Sequence, residues 1–287
     1  MGEELLMDRP ERGRDNGDYS SGAAAAGWSR GAAERAQYLG PITEMMLDLA
    51  GLAPGQHVLD VATGTGEQTL LAARRVGPAG RVVATDISAP MLGIAADAAR
   101  QRGFSNVETH VMDARQLGFE SDSFDAAISR LALMLIPERA KALAEIYRVL
   151  RPGGRFAAIV LSSAETNPYS ELPMAIARRF TGWSAETLAD PGFFALGEPS
   201  VLRRAYEQAG FRDVATHVIP TRRRFPSLEV ALQDRRDSLP EIATLSIGLS
   251  EPEHTAMWHE IEACLQRFDG PDGFVAVGEM LIGVGTK

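Results

Sequence analysis

The stretch HVLDVATGTGEQ, residues 57–68, constrains the fold of this chain more than any other. It starts with a short run of aliphatic and β-branched residues, which is typical of a strand buried on both faces of a sheet. The run ends in TGTG, residues 63–66, and a helical pattern follows at once. A strand, a glycine-rich turn and a helix in this order form the ligand-binding unit of a doubly wound α/β sheet. The glycines let a ligand approach the backbone, and the helix start offers it free N–H groups.

Two departures from the dinucleotide-binding pattern G-x-G-x-x-G indicate which ligand the turn holds. Gly64 and Gly66 match the first two glycines of the pattern, but Thr69 stands at the third position. Asp60 lies inside the strand, where its carboxylate would repel a pyrophosphate at a cost of roughly 1–4 kcal/mol. The same carboxylate favours a cationic ligand. S-adenosylmethionine carries an ammonium and a sulfonium and no phosphate, so the sequence favours it over NAD.

The segment DVATGTGE, residues 60–67, resembles motif I of the class I S-adenosylmethionine-dependent methyltransferases. Within that family it is most similar to the branch that contains ubiquinone and menaquinone C-methyltransferases. The resemblance covers residues 40–160 well and the remainder loosely. It implies an α/β fold with a doubly wound, Rossmann-like, mostly parallel sheet of seven strands, with helical cap insertions and S-adenosyl-L-methionine as the cofactor.

Three acidic residues at successive strand ends are the main candidates for binding this cofactor. Asp60 is expected to hold its amino end, and Asp86 ends the second predicted strand, where a carboxylate can accept hydrogen bonds from both ribose hydroxyls. Asp113 follows the third strand and can accept from the adenine amino group. Two alternatives stay open: Asp86 as a charge at a helix start, and Asp113 as a loop residue or helix cap. The other predicted cofactor-binding residues flank these positions: Ala62, Thr63, Gly64, Gly66, Ile87, Met91, Met112, Ala114, Ser129 and Arg130.

Ser129 and Arg130 end the fourth predicted strand, where cofactor and acceptor meet in the resembled fold. A buried arginine needs an anionic partner, and either an acidic group of the substrate or a nearby carboxylate meets that need. Aromatic residues before motif I and after the fifth strand either line the acceptor entrance or only dock helices on the sheet. The candidates for substrate binding are Tyr19, Trp28, Tyr38, Arg130, Tyr169 and Trp183.

Composition shifts and turn signals divide the chain into seven parts. These are a disordered tail (1–18), an N-terminal helical cap (19–55), the cofactor-binding core (56–163), a lid insertion (164–197), the core continued (198–221), a helical cap insertion (222–271) and a closing core strand (272–287). The closing strand is expected to be antiparallel, at or near the sheet edge. The arginine run at 222–224 either attracts an anionic substrate or forms a solvated edge, and the solvated edge is favoured.

The overall composition narrows the class of partner. A net charge of −9 argues against nucleic acid or an anionic membrane as the main partner. The single cysteine excludes an internal disulfide and fits a reducing compartment. Neither a run of about 18 apolar residues nor a signal-peptide pattern is present. We therefore expect a soluble cytoplasmic protein that acts on a small-molecule acceptor, with the oligomeric state left open and a homodimer among the options.

No residue stands out as a catalytic base, and no group of residues has metal-ligand spacing. His254 and His259 are five positions apart on a predicted helix, so they do not share a face. His110 and His217 lie towards strand ends and stay open as bases, although a structural role is favoured. Methyl transfer places few demands on side chains, because the sulfonium is a good leaving group and alignment alone supplies about 7–11 kcal/mol.

The sequence therefore predicts an enzyme that transfers a methyl group from S-adenosylmethionine to a small acceptor by in-line displacement. An apolar or aromatic acceptor is favoured, either a specialised metabolite or a quinone-like compound. Which atom type is methylated is left open. Three alternatives remain: an enzyme that keeps this cofactor but catalyses a cyclisation or rearrangement, an NAD-dependent oxidoreductase, and a non-catalytic binding protein.

Overall fold

The computed structural model describes residues 20–182, 192–271 and 273–287, which form one mixed sheet surrounded by helices. The strands are β1 (His57–Val61), β2 (Arg81–Asp86), β3 (Val107–Val111), β4 (Phe124–Arg130), β5 (Leu150–Leu161), β6 (Arg212–Phe225), β7 (Asp269–Gly270) and β8 (Gly273–Thr286). The helices are α1 (Gly22–Arg30), α2 (Ala32–Leu49), α3 (Glu67–Val76), α4 (Ala89–Gln101), α5 (Arg139–Val149), α6 (Pro168–Thr181), α7 (Pro199–Gln208), α8 (Leu228–Ser238), α9 (Pro240–Leu245) and α10 (Glu251–Leu265).

The sheet has the order β3-β2-β1-β4-β5-β8-β6, and the two-residue β7 pairs with β8. Strands β1 to β5 run parallel, whereas β8 lies antiparallel between β5 and β6. The chain order reverses between β1 and β4, and ligands bind at this switch point in open α/β sheets. The predicted fold class is confirmed, and the antiparallel closing strand lies one position inside the edge.

Strand β1 lies at the centre of this sheet because its side chains are apolar towards both faces. Val58, Leu59 and Val61 are completely buried. In register, Leu59 pairs with Val83 of β2 on one side and with Ala127 of β4 on the other. The central strand therefore delivers the turn that follows it to the carboxyl edge of the sheet, next to the ends of β2 and β4.

Strand β8 extends well beyond its pairing with β5, and β6 follows it along this extension. The segment of β8 from Phe274 to Glu279 pairs with β6 from Pro220 to Phe225. The sequence had indicated a strand near 214–219 and a helical cap from 222. In the structure β6 continues to Phe225, into the segment predicted as cap. Along 221–225 buried and exposed residues alternate, because Thr221, Arg223 and Phe225 face inwards. The run of three arginines masked this two-residue period.

The extended hairpin supports a second hydrophobic core under the cap helices. Buried side chains of α6, α8, α9 and α10 pack there with the ends of β6 and β8. Helix α10 begins with a capping box formed by Ser250 and Glu253, and its apolar stripe of Met257, Ile261 and Leu265 is buried. None of the described helices has the length and apolar character required to cross a bilayer.

Gly66 sets the distance between the helix that follows β1 and the helix that follows β2. Its φ of 85° is left-handed. A Cβ at this position would lie 2.7 Å from the Cβ and 3.0 Å from the Cα of Ala95 on α4. Gly66 therefore lets the start of α3 pack closely against α4. It is required both for its left-handed backbone and for the lack of a side chain.

We expect Gly66→Ala to lower the free energy of unfolding by about 3 kcal/mol, since it adds left-handed strain and overpacking. Gly93→Ala is the matched control, because Gly93 lies inside α4 and a Cβ added there would meet nothing within 4 Å. That substitution should raise the free energy of unfolding by about 0.5–1 kcal/mol. Urea denaturation measures both, and equal stability of the two variants would contradict the assignment.

Candidate functional site

The turn between β1 and α3 has three residues with left-handed backbone. They are Ala62 (φ 54°), Gly64 (φ 59°) and Gly66 (φ 85°). A non-glycine residue in this region costs on the order of 1–3 kcal/mol, and such strain is concentrated at functional sites. The turn is held to the next strand by a hydrogen bond from the Thr63 N–H to the Thr85 carbonyl, 2.9 Å long. Its backbone is therefore fixed at the switch point.

Asp60 binds this turn from within. Its side chain has no solvent exposure, and its carboxylate accepts hydrogen bonds from the Thr63 and Thr69 hydroxyls and from Gln68 Nε2. Contact of Asp60 with the amino end of a cofactor stays a prediction, and three side-chain donors already occupy most of the acceptor positions of this carboxylate. The carboxylate acts on the ligand site through the turn, and Thr69 has a polar role where the dinucleotide pattern has glycine.

Burial governs the ionisation of Asp60. Desolvation raises the pKa of this carboxyl to about 6, and the hydrogen bonds from Thr69, Thr63 and Gln68 only partly oppose it. The negative charge is therefore costly in the folded protein at neutral pH, and positive charge brought close to the turn would reduce that cost.

Asp86 holds the same turn from the neighbouring strand. Its Oδ2 accepts from the Gly64 N–H at 2.8 Å, and its Oδ1 accepts from the Ser88 N–H at 2.9 Å. Burial raises the pKa of this carboxyl, opposed by backbone hydrogen bonds that include these two. A carboxylate has about four acceptor positions, so Asp86 keeps capacity for further donors. Its side chain is 8% exposed at the carboxyl edge of the sheet.

Asp113 lies farther out and is already paired. Its carboxylate accepts from the Arg115 side chain, with Nη2 to Oδ2 at 2.7 Å, and from the Arg115 N–H at 2.8 Å. These hydrogen bonds hold the pKa of Asp113 below its ordinary value. The loop role that the sequence left open is thus present, and a contact with adenine stays a prediction.

The remaining cofactor candidates differ in exposure. Ile87 is 57% exposed, whereas Met91 and Ala114 are buried and Met112 is half-buried. Met91 contributes to the turn site, since its Sδ lies 3.7 Å from the position that a Cβ would take on Gly64. Ser129 is completely buried, and its hydroxyl has no hydrogen-bond partner within the described parts of the chain.

Arg130 forms an ion pair inside the protein. It binds Glu67 Oε2 and also donates from Nη1 to the Thr43 hydroxyl at 3.2 Å. Arg35 of α2 binds the other oxygen of Glu67 at 2.7 Å. Burial acts to raise the pKa of Glu67, but Arg130 and Arg35 outweigh it and hold the pKa below its ordinary value. A protein carboxylate, rather than a substrate, is therefore the partner of Arg130.

Sequence reasoning missed Glu67 and Arg35. Glu67 is the first residue of α3, directly after the turn, and its carboxylate connects the core to the N-terminal cap. Its place at a helix start looked like an ordinary first-turn charge. Arg35 showed one usable signal, since it falls on the same helical face as Leu39 and Ile42, which are buried.

A cavity of about 110 Å³ lies beside this ion-pair cluster, at the carboxyl edge of the sheet. Residues of the core contribute apolar surface: Leu131, Met134, Leu161 and Met280. The cap segments contribute aromatic and charged side chains: Trp28, Arg35, Tyr38, Tyr169, Phe193, Arg223 and Arg235. Of the predicted substrate-binding residues, Trp28, Tyr38 and Tyr169 line the cavity and Arg130 does not. Tyr19 and Trp183 lie outside the described residues.

A second ion-pair cluster lies on the cap side of the cavity. Asp234 of α8 binds Arg223 of β6, with Nη1 to Oδ2 at 3.0 Å, and Arg235, with Nη2 to Oδ2 at 2.5 Å. Tyr169 donates from its hydroxyl to the Ala231 carbonyl at 2.7 Å. Of the predicted arginine run, the two outer members are exposed and the middle one is buried in this cluster.

Comparison with known proteins assigns the core. Residues 58–154 match the family model described as a methyltransferase domain. The chain therefore contains a methyltransferase domain within residues 58–154. Over 117 residues it is 38% identical to the ubiquinone/menaquinone biosynthesis C-methyltransferase UbiE of Hydrogenovibrio crunogenus, which is 40% of this chain and 46% of that protein. The chain thus spans about half the length of such relatives, and the caps lie largely outside the match.

Solved structures agree on the fold of this methyltransferase domain. A SAM dependent methyltransferase from Aquifex aeolicus aligns with a TM-score of 0.52 at 21% identity, over 69% of this chain and 92% of that one. The [4+2]-cyclase SpnF aligns with a TM-score of 0.53 at 23% identity, over 86% of this chain and 80% of that one. At these identities the likeness concerns the fold and not the reaction.

The ionisation of Asp60 gives a testable pH dependence. Its carboxyl has a pKa of about 6 when folded and about 4 when unfolded. Between these values the folded protein keeps a proton that the unfolded chain has lost, so Asp60 disfavours folding as the pH rises. We expect the free energy of unfolding of Asp60→Asn, relative to wild type, to increase by about 2 kcal/mol from about pH 4 to pH 7.

Urea denaturation at both pH values measures this difference. Asp113→Asn is the control with the opposite sign, because the pKa of Asp113 is lowered and its stabilising effect is lost as the pH falls. A pH-independent difference between Asp60→Asn and wild type would rule out the ionisation of Asp60 described above.

Proposed function

We propose that this protein transfers a methyl group from S-adenosylmethionine to a small organic acceptor bound in the cavity between the sheet and the caps. The observation that carries the proposal is that one set of side chains borders both the glycine turn and the cavity. Trp28 lines the cavity, and its Nε1 lies 3.9 Å from the position of a Cβ on Gly64. Arg35 also lines the cavity and binds Glu67 directly after the turn.

The residues of the turn fit the cofactor. Gly64 keeps a side chain out of the space that Met91 and Trp28 border, and Asp86 offers free acceptor positions for ribose hydroxyls. The negative charge of Asp60 beneath the turn favours a cationic ligand, because such a ligand would relieve the cost of that buried charge. Met91 and Ile87 would flank the adenine, and Asp113 would accept from its amino group.

The bound cofactor would supply the methyl group on a sulfonium, a leaving group that needs no protonation. The protein would bind the cofactor and the acceptor, orient them towards each other and exclude water. Alignment of two reactants in this way supplies about 7–11 kcal/mol of a barrier. Tyr38 and Tyr169 are the described tyrosines of the cavity, and burial raises the pKa of both, so neither is suited to act as a base at neutral pH.

The apolar lining favours an acceptor with an apolar or aromatic body, such as a quinone-like compound or a specialised metabolite. The relative from Hydrogenovibrio crunogenus is a quinone C-methyltransferase by name, and this supports an aromatic acceptor for the present chain. Mass spectrometry of products from a panel of aromatic acceptors tests the reaction. A product heavier by one methylene supports methyl transfer, whereas turnover without this increment would point to a cyclisation or rearrangement.

Asp86 provides the sharpest test of the cofactor assignment. We expect Asp86→Asn to weaken binding of S-adenosylhomocysteine by about tenfold or more, since a charge-assisted hydrogen bond is worth about 1.5–3 kcal/mol. Asparagine keeps an oxygen that can accept from the Gly64 N–H and so holds the turn, while its amide nitrogen gives up the hydrogen bond from the Ser88 N–H. Asp97→Asn, at an exposed carboxylate on α4, is the control and should bind normally. Isothermal titration calorimetry measures the affinities, and unchanged binding by Asp86→Asn would remove Asp86 from the site.

A further inference from the structure

The cavity next to the methyltransferase turn has an unbalanced charge. Among its described lining residues are three arginines, Arg35, Arg223 and Arg235, and no aspartate or glutamate. Including Arg130, four guanidinium groups share the two carboxylates of Glu67 and Asp234. Buried charges in proteins are normally paired one to one, so the walls of this cavity hold more positive charge than the protein compensates.

The two clusters act on each other across the cavity. Burial lowers the pKa of Arg35, Glu67 opposes this effect, and Arg130 and Arg223 lower the pKa further. Arg223 belongs to the opposite cluster, on β6. Repulsion between the two walls therefore persists after each cluster has used its own carboxylate.

Some hydrogen-bond donors of these arginines are also unused. Arg35 and Arg223 are 4% and 9% exposed, and the Nε–H of each has no partner within the described parts of the chain. The Ser238 hydroxyl, which also lines the cavity, has none either. Buried polar groups in native proteins nearly always find partners, and an exception needs an explanation such as a ligand that supplies them.

Aromatic rings fix the guanidinium groups in place. Arg35 stacks on Trp28 with 4.1 Å between the guanidinium carbon and the ring centroid, and Arg235 stacks on Tyr169 at 4.0 Å. Arg223 lies 4.4 Å from the ring centroid of Phe225. Rigid, stacked guanidinium groups are pre-organised for recognition of planar oxyanions, because little freedom is lost on binding.

We infer that the acceptor is an organic anion whose negatively charged oxygen, in a carboxylate or an ionised phenol or enol, binds between Arg35 and Arg223. This inference rests on the proposed function and names the substrate class of the same site. The apolar part of the acceptor would lie against Leu131, Met134 and Met280.

A negatively charged acceptor would also explain why no residue stands out as a catalytic base. An acceptor that is methylated on its ionised oxygen already has the electron pair that attacks the methyl group, so the methyl–sulfur bond breaks without a lining side chain having to remove a proton. Arginine keeps its positive charge at any pH relevant to proteins, so it stabilises the anionic form of an acidic acceptor without titrating. The arginines of the cavity therefore favour binding of the acceptor in its anionic, reactive form.

Three small probes test the charge preference on the full chain, with and without S-adenosylhomocysteine. Benzoate and benzamide have similar shapes but differ in charge, and we expect benzoate to bind about tenfold more tightly or better by calorimetry. 4-Nitrophenol absorbs at a longer wavelength as its anion, so its spectrum reports the bound form, and we expect its pKa to fall on binding. Selectivity for benzoate indicates a carboxylate site, and a lowered pKa of nitrophenol indicates an ionised phenol or enol.

Arg223→Gln links this preference to the cavity. Asp234 keeps Arg235 as a partner in that variant, so the fold should be retained. We expect an affinity for benzoate or nitrophenolate lowered about tenfold, with unchanged affinity for S-adenosylhomocysteine. Arg236→Gln is the control, because Arg236 is an exposed arginine of α8 that stacks on Trp258, outside this cavity.

The outcomes separate the two proposals. Benzamide binding as tightly as benzoate together with an unshifted pKa of nitrophenol, or probe affinities that do not respond to Arg223→Gln, would overturn the anionic acceptor. Failure of the wild-type chain to bind S-adenosylhomocysteine would instead overturn the proposed function, while the measurements without it still report on the charge preference.

Discussion

The hydrogen bonds of the buried Asp60 carboxylate hold the turn on which the rest of the site depends. Three side chains of the turn and of the first part of α3 donate to it, and none of its surface is open to solvent. This arrangement fixes the left-handed backbone that starts at Ala62. It also places the Gly64 N–H where it donates to Asp86 at the end of the next strand. A carboxylate buried at some energetic cost thus sets the shape and the electrostatic character of the cofactor side.

Buried ion pairs connect that turn to the caps. Glu67 holds one arginine from α2 and another from the end of β4, and Asp234 holds a comparable pair on the far side of the cavity. Removing one partner from a buried pair typically costs about 3–5 kcal/mol, so these links restrict how the caps can sit on the sheet. Three of these arginines, Arg35, Arg223 and Arg235, also give the cavity its positive character.

The order of the core elements was predictable because it depends on local patterns. The apolar run of β1, the glycines after it and the acidic residue ending β2 each fall within a few positions in the sequence, and the structure has them where expected. The extended β6 was missed because Arg222 to Arg224 hid a two-residue period under a run of like charges. The hydrogen bonds that enclose the Asp60 carboxylate were not predicted, because burial of a side chain depends on neighbours such as Gln68 and Thr69 that close over it.

The sequence by itself determined that a strand, a glycine turn and a helix form a site for a cationic nucleoside, because backbone geometry and local charge are encoded within a dozen residues. Only the tertiary structure decided the partners of Glu67, which lie 32 and 63 positions away in the chain. Only the fold could place Arg223 of an edge strand opposite Arg35 of the N-terminal cap. Long-range pairing of charges depends on how helices pack on the sheet, and no spacing in the sequence specifies that arrangement.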